Sequence, residues 1–267
     1  MIVPASARIL LGTFAAASLV IALPAAGKAA PMPKAGAAKH AAGKAAAAAK
    51  ARRAAAAQAR SEADAAQAEA LAASPDASRV AGWVVATGDN RGHAYIIVDK
   101  PRARVFLFNA AGKLLVNAPT LIGRAIGDDA TPAIGRKSLA EIGPAEKTTP
   151  AGRFYARFGR AVGQPVLWVD YTTSVALHPI PPANKEHRAA RMASPTIDDN
   201  RITFGCINVP AGFYASTKPL FRKNGGYVYV LPDVKPFAAV FPLAAMQRPS
   251  APDPAVGAAP EVAASQH

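Results

Sequence analysis

The residues best equipped for chemistry lie in Thr203-Phe204-Gly205-Cys206-Ile207-Asn208-Val209-Pro210, which holds the one cysteine of this 267-residue chain. A lone thiol cannot close an internal disulfide, so it is either inert and buried or kept for nucleophilic chemistry. A free cysteine is only a few per cent thiolate near neutrality, so a catalytic one needs a base, a helix N-terminus, or both. Gly205 permits a tight turn in front of the sulfur, and a helix expected after Val209 would aim its positive end at it. The Gly205 and Cys206 N–H groups could then form an oxyanion hole. For the base, His40 lies in an Ala/Lys tract and His267 ends the chain, which leaves His93, His178 and His187. His178 ends the strand-like run Ser174-Val175-Ala176-Leu177, whereas His187 sits in a polar segment with a helical look. A general base needs rigid placement, so His178 is the choice and His187 the alternative. His93 reads as structural.

Several neighbours admit two readings. Thr203 either orients the imidazole or bonds its own backbone. Arg201 and Asn208 could grip a substrate carboxylate or carbonyl, with Arg201 alternatively paired to Asp198 or Asp199. Phe204 makes one wall of the site apolar. Trp168 and Tyr171 could line a cleft or belong to the core. There is no Cys pair, no His-Glu-x-x-His and no dense carboxylate cluster, which argues against a zinc site. Gly-x-Ser-x-Gly and phosphate-binding glycine loops are absent too, and no metal or organic cofactor is expected.

The elements that must position these residues read as short strands with turn signals between them. Residues 93–99 and 103–109 form a strand pair across Lys100-Pro101-Arg102, Ala110-Ala111-Gly112-Lys113 makes the next turn, and 114–123 continues as a strand. Residues 124–147 are irregular, with a weak helical hint at 137–142; so long a connection is more often functional than idle. Strands resume at 152–158, 165–171 and 174–180. Pro210 opens a helix limited by Pro219, with Phe213, Tyr214 and Leu220 as core contacts. A last strand covers 225–231. The expected fold is mainly β with short helices, a β-sandwich or barrel preceded by an Ala/Lys-rich helical or disordered linker.

Arg8, an apolar run over 9–23 and small residues after Pro24 read as a secretory signal, so the protein is placed in the periplasm or cell envelope, with an uncleaved anchor as the alternative. The domains expected are a signal peptide at 1–27, a basic linker at 28–77, a catalytic domain at 78–247 and a Pro/Ala tail at 248–267. Of the formal net charge of +14, residues 1–74 carry nine Lys+Arg against three Asp+Glu, or +6. If helical throughout, residues 41–73 would span roughly 50 Å. The linker reads as a solvated spacer or as a basic arm held near an anionic envelope polymer. Nucleic acid is not an expected partner of an exported chain.

Thr203, Gly205, Cys206, Ile207 and Asn208 resemble the Ser/Thr-His-Gly-Cys-apolar-Arg/Asn motif of the L,D-transpeptidases of the YkuD type, which remodel bacterial peptidoglycan through a cysteine acyl-enzyme. Arg201-Ile202 is similar to the approach to that motif. Tyr95-Ile96-Ile97-Val98-Asp99 and Ala103-Arg104-Val105-Phe106-Leu107-Phe108 are similar to the family's opening strands, and Thr149-Pro150-Ala151-Gly152-Arg153-Phe154 to its Thr-Pro-x-Gly-x-Phe segment. The ordered set covers roughly residues 95–231. Phe204 departs from the family's histidine. His178 stands farther from Thr203 than the family's interval, which an inserted 181–198 segment, part of a lid, would explain; His187 fits the interval but not the strand. The resemblance implies attack by Cys206 on the third residue of a peptidoglycan stem tetrapeptide, with His178 as base, expulsion of the terminal D-alanine, and thioester transfer to an amine. Transfer to water would make a carboxypeptidase; a catalytically lapsed wall-binding domain and a cationic polymer binder are the other readings.

Overall fold

The computed structural model describes residues 35–182 and 186–246, so the expected signal segment, the tail and residues 183–185 lie outside the described residues. The chain divides into two units, Met1–Ala55 and Ala56–His267; of the first, only residues of helix α1 (Ala35–Ala72) are described. This helix is the one form of the linker that alanine's high helix propensity favours. Among the described residues no helix is long and apolar enough to cross a membrane.

The second unit is mainly β. Its strands are β1 (Tyr95–Asp99), β2 (Arg104–Phe108), β3 (Leu114–Pro119), β4 (Ile122–Gly123), β5 (Gly152–Ala161), β6 (Gln164–Asp170), β7 (Val175–Pro179), β8 (Arg201–Thr203), β9 (Ile207–Val209) and β10 (Gly226–Val230). Eight of them form one sheet in the order β3-β2-β1-β10-β5-β6-β7-β9, and β4 pairs with β8. The pairings β1–β10 and β7–β9 are parallel and the others of the large sheet antiparallel. The sheet curls almost shut. Leu121, just past β3, exchanges two backbone hydrogen bonds of 2.9 Å with Asn208 of β9, which closes the far edges on each other. The sequence reading ran 114–123 as one strand; the chain instead leaves β3 at Pro119, because Leu121 must reach β9 and β4 must reach β8.

Side chains alternate between the two faces of a strand, and both faces here have work to do. The inner face collects Ile96, Val98, Val105, Leu107, Leu167, Leu177, Ile207 and Val228, plugged by helix α4 (Ala211–Phe221) through Phe213, Tyr214 and Phe221. Pro219 lies in the last turn of α4, two residues before its end. The outer face divides in two. Over β2, β1 and β10 it is apolar (Ile97, Phe106, Phe108, Tyr227, Tyr229) and is covered by helix α2 (Pro75–Thr87) and the short helices α5 (Phe237–Val240) and α6 (Pro242–Met246). Over β5, β6 and β7 it is largely open.

Sequence reasoning did not foresee α2. Its signals are present: Pro75 in the first turn, Asp76 beside it, and Gly88 in the left-handed conformation at the C-terminus. Ala77, Val80, Ala81 and Val84 recur at helical spacing and are buried. Ser74 ahead of α2 is also buried and donates a hydrogen bond to Asp99, whose pKa burial pushes up.

A second feature missed from sequence holds the long 124–147 connection, which is not helical beyond three single 3-10 turns. Lys100, fully buried, donates to Asp128 at 2.9 Å, to Gly127 O at 2.6 Å and to Thr149 O at 2.8 Å, and lies 3.3 Å from Asp233. Asp128 also accepts the backbone N–H groups of Asp233, Val234 and Lys235. Burial works against its charged form, but those donors prevail and hold its pKa down at about 2.

Candidate active site

The open half of the outer face carries the candidate residues because of two strand registers. Trp168 of β6 is paired with Ala176 of β7, and His178 of β7 with Asn208 of β9. Leu167, Leu177 and Ile207 point inward, so Trp168, Ala176, His178 and Asn208 point outward. Cys206 enters this face directly ahead of β9. Its side chain is partly exposed, and its Sγ lies 3.8 Å from Ser174 O as a hydrogen-bond donor.

The turn in front of the sulfur is locked by its own side chains. Thr203 Oγ1 donates to Cys206 O at 2.6 Å and accepts from Gly205 N–H at 3.1 Å. Thr149 Oγ1 donates to Gly205 O and accepts from Gly123 N–H, each at 2.8 Å, so residues 148–149 pass between two glycines. Gly205 has φ +123°, and a Cβ there would stand 2.8 Å from Thr148 O. No other residue type fits that position without strain.

The imidazole is oriented by a chain of polar side chains. His178 Nδ1 is 2.8 Å from Pro179 O; a carbonyl only accepts, so Nδ1 carries the hydrogen and Nε2 keeps its lone pair. Arg188, in helix α3 (Arg188–Ala193), donates through Nη1 to Asn208 Oδ1 at 2.7 Å, and a guanidinium only donates. The Asn208 amide therefore turns its Nδ2 toward His178 Nε2, at 3.3 Å. Glu186 accepts from Arg188 Nε at 2.8 Å. Glu186, Arg188, Asn208 and His178 form one line of contacts.

Electrostatics keep both candidate reactive groups neutral. Burial pushes the Cys206 thiol pKa up, against smaller opposing effects of the Ala176 backbone and the Arg188 charge. Burial also lowers the His178 pKa, and the Arg188 charge lowers it further, against the hydrogen bond to Pro179. A thiol harder to ionise and an imidazole harder to protonate do not form a thiolate–imidazolium pair at rest.

Several expectations need correction. Gly205 N–H is spent on Thr203 Oγ1, so it is not half of an oxyanion hole, and Thr203 bonds its own turn rather than the imidazole. Helix α4 begins only at Ala211, beyond β9, so four residues, or five steps of extended chain of about 16 Å, separate its positive end from the sulfur. A helix dipole acts within its first turn, and this one does not reach Cys206. Arg201 is paired neither with Asp198 nor with Asp199; it grips Asp233 through both guanidinium nitrogens, at 2.6 and 3.2 Å, and so joins the Lys100 cluster. Asn208 is fully buried and is engaged by His178 and Arg188, which leaves it no open side for a substrate.

The remaining candidates are placed as follows. Trp168 is half-buried and meets Tyr171 edge to face, with centroids 5.2 Å apart; Tyr171 is exposed. Phe204 is half-buried and carries the Lys147 ammonium 3.9 Å from its ring centroid, a contact that no sequence signal announced. His187 is exposed, in left-handed conformation at the N-cap of α3. His93 packs edge to face between Tyr155 and Tyr227. Within the expected 181–198 insertion, Met192 of α3 packs with Leu121 and Ile202. Among the described residues no group of three His, Cys, Asp or Glu side chains could hold a metal ion.

No protein-family model matches the chain, and no curated protein is significantly similar to it. Solved structures are. The catalytic domain of an E. faecium L,D-transpeptidase, determined by NMR, is 18% identical over 52% of this chain and 98% of its own, with a TM-score of 0.30. A crystal structure of a cysteine-to-serine mutant of the Enterococcus faecium L,D-transpeptidase is 19% identical over 52% of this chain and 50% of its own, with a TM-score of 0.30. Bdellovibrio bacteriovorus Bd1075 is 12% identical over 58% of this chain and 54% of its own, with a TM-score of 0.33. The chain thus spans about half the length of the last two. The architecture rests on its own strand order and register.

Proposed function

We propose that the protein is an exported, L,D-transpeptidase-like cysteine acyl transferase that acts on peptidoglycan stem peptides. The observation that carries this reading is the parallel β7–β9 register, which brings His178 and the Cys206 turn onto neighbouring strands of one open face. The motif residues Thr203, Gly205, Cys206, Ile207 and Asn208 support it.

In this mechanism Cys206 starts as a neutral thiol and His178 as a neutral imidazole whose Nε2 lone pair is presented. As Sγ bonds to the carbonyl carbon of the third stem residue, the thiol proton passes to His178 Nε2, which gives up its long contact with Asn208. The hydrogen bond from Nδ1 to Pro179 O holds the imidazolium in place. The carbonyl reforms as the C–N bond breaks, and Nε2 returns the proton to the departing amine of D-alanine. The thioester is then attacked by an amine of another stem, or by water for a carboxypeptidase, with Nε2 accepting the proton. Thr203 and Gly205 hold the sulfur; Asn208 and Arg188 hold the imidazole; Phe204 and Trp168 wall the cleft. Arg201 contributes through the Lys100 cluster.

Intact-mass spectrometry of the protein with a stem tetrapeptide tests the proposal: wild type gains the acyl mass, while Cys206→Ser and His178→Ala do not. A carbapenem should add its mass at Cys206. Loss in His187→Ala alone would move the base to His187. A lapsed wall-binding domain is the second reading, favoured by the spent Gly205 N–H and the raised thiol pKa. It predicts no adduct, and binding to sacculi indifferent to Cys206→Ala.

A further inference from the structure

Phe204, two residues ahead of Cys206, carries a cation that no carboxylate among the described residues offsets. The Lys147 ammonium sits over the Phe204 ring at 3.9 Å, half-buried, and has no hydrogen bond or ion pair among the described residues. The carboxylates of its own connection and of the Lys100 cluster have other partners. Glu146, its neighbour in sequence, accepts from Lys137 and from Gly143 N–H; Asp128 and Asp233 serve Lys100; Asp129 serves Lys235. A second basic residue joins the same turn through its backbone: Arg124 donates its N–H to Thr203 O at 3.0 Å, is exposed, and likewise has no ion pair among the described residues.

The position of Lys147 is fixed rather than incidental. Its carbonyl accepts from Ala125 N–H at 3.0 Å, and a Cβ on Gly123 would come within 2.4 Å of it. The next residue, Thr148, is the one that abuts Gly205. The strap that carries the ammonium is therefore packed against the turn that carries the sulfur. A half-buried cation on an aromatic face keeps part of its attraction for an anion while losing part of its hydration.

We propose that Lys147, with Arg124 beside it, forms a carboxylate-binding subsite on the Phe204 wall that selects acyl donors bearing a free carboxylate at or next to the scissile residue. This rests on the reading of Cys206 as the acyl acceptor. The carboxylate has two possible sources, the C-terminus of the departing residue and an acidic side chain on the third residue. Both are bound equally before and during bond formation, so the contact lowers KM and leaves kcat alone.

The test uses the full chain as wild type, Lys147→Met and Lys147→Arg. Each is assayed by steady-state release of the terminal residue from three tetrapeptides with an acidic third residue: the free acid, its C-terminal carboxamide, and its third-residue side-chain carboxamide. The proposal expects Lys147→Met to raise KM for the free acid about tenfold with kcat changed less than about twofold, and Lys147→Arg to restore most of it. One of the two carboxamides should show the same rise in wild type and no further rise in Lys147→Met, which names the source. Wild-type turnover with no KM difference in Lys147→Met, or a fall in kcat that Lys147→Arg does not rescue, overturns the subsite and leaves the Cys206 reading standing. Absence of any acyl transfer by wild type removes both.

Discussion

Replacing Asp128 by Asn should make the protein less stable at neutral pH and much less sensitive to acid. The Asp128 carboxylate has a folded-state pKa of about 2 against an ordinary 3.8. A depressed pKa gives stability that is fully present above the unfolded value and lost as pH falls through the folded one, here between about pH 4 and pH 2. The shift corresponds to roughly 2.4 kcal/mol at pH 7, of which about half is gone by pH 3. Its side chain is only 1% exposed, so solvent screening does not erode that figure much. Asn keeps the shape but turns one donor toward N–H groups that need an acceptor, which adds about 1–3 kcal/mol. Urea unfolding followed by tryptophan fluorescence, at steps from pH 7 to pH 2.5, measures both. The gap between wild type and Asp128→Asn should narrow by roughly 1.5 kcal/mol between pH 5 and pH 2.5. A gap that stays constant over that range would refute the argument, since it would mean that the carboxylate gains nothing from its charge in the folded state.

Alkylation of Cys206 by iodoacetamide in the free protein should keep rising beyond pH 9, because burial raises the thiol pKa above its ordinary 9.0; a plateau near neutrality would reveal an ion pair with His178. Gly205→Ala should cost about 1–3 kcal/mol in urea unfolding from its positive φ alone, more from the contact with Thr148 O, and should abolish acyl-enzyme formation; a variant with wild-type stability and acylation refutes the lock on the turn. Lys100→Met should destabilise by about 3–5 kcal/mol through the carboxylates it strands, with Asp128 and Asp233 left facing each other; a loss under about 1 kcal/mol would contradict that. Phe221→Ala, at the fully buried end of α4, should cost about 3–5 kcal/mol by the same assay.

The strands were legible because each carries a local signature. Tyr95–Asp99 and Gly226–Val230 are short runs of β-branched and aromatic residues bounded by turns, and they are buried on both faces as central strands must be. What stayed hidden depends on contacts distant in sequence. Lys100 reads as a turn residue beside Pro101, yet its partners lie 27 to 133 positions away. Arg201 reads as a ligand for substrate until Asp233, 32 residues on, takes it. α2 has its own terminal signals and periodicity, but the alanine-rich sequence before it blurs where the core begins. The Lys147 contact with Phe204 crosses 57 positions and follows no spacing rule.

The candidate site has two halves that are built independently and meet through one strand register. The sulfur is placed by a turn whose backbone is held by the hydroxyls of Thr203 and Thr149 and by the conformation of Gly205. The imidazole is placed by side chains, through Asn208 and Arg188. Asn208 belongs to both halves: its backbone closes the sheet with Leu121 while its amide sets the orientation of His178. A shift of one residue between β7 and β9 would send Asn208 inward and Ile207 outward, burying an amide in the apolar core and removing the partner of His178. The pressure to keep the core dry and the pressure to keep the imidazole aligned therefore select the same register.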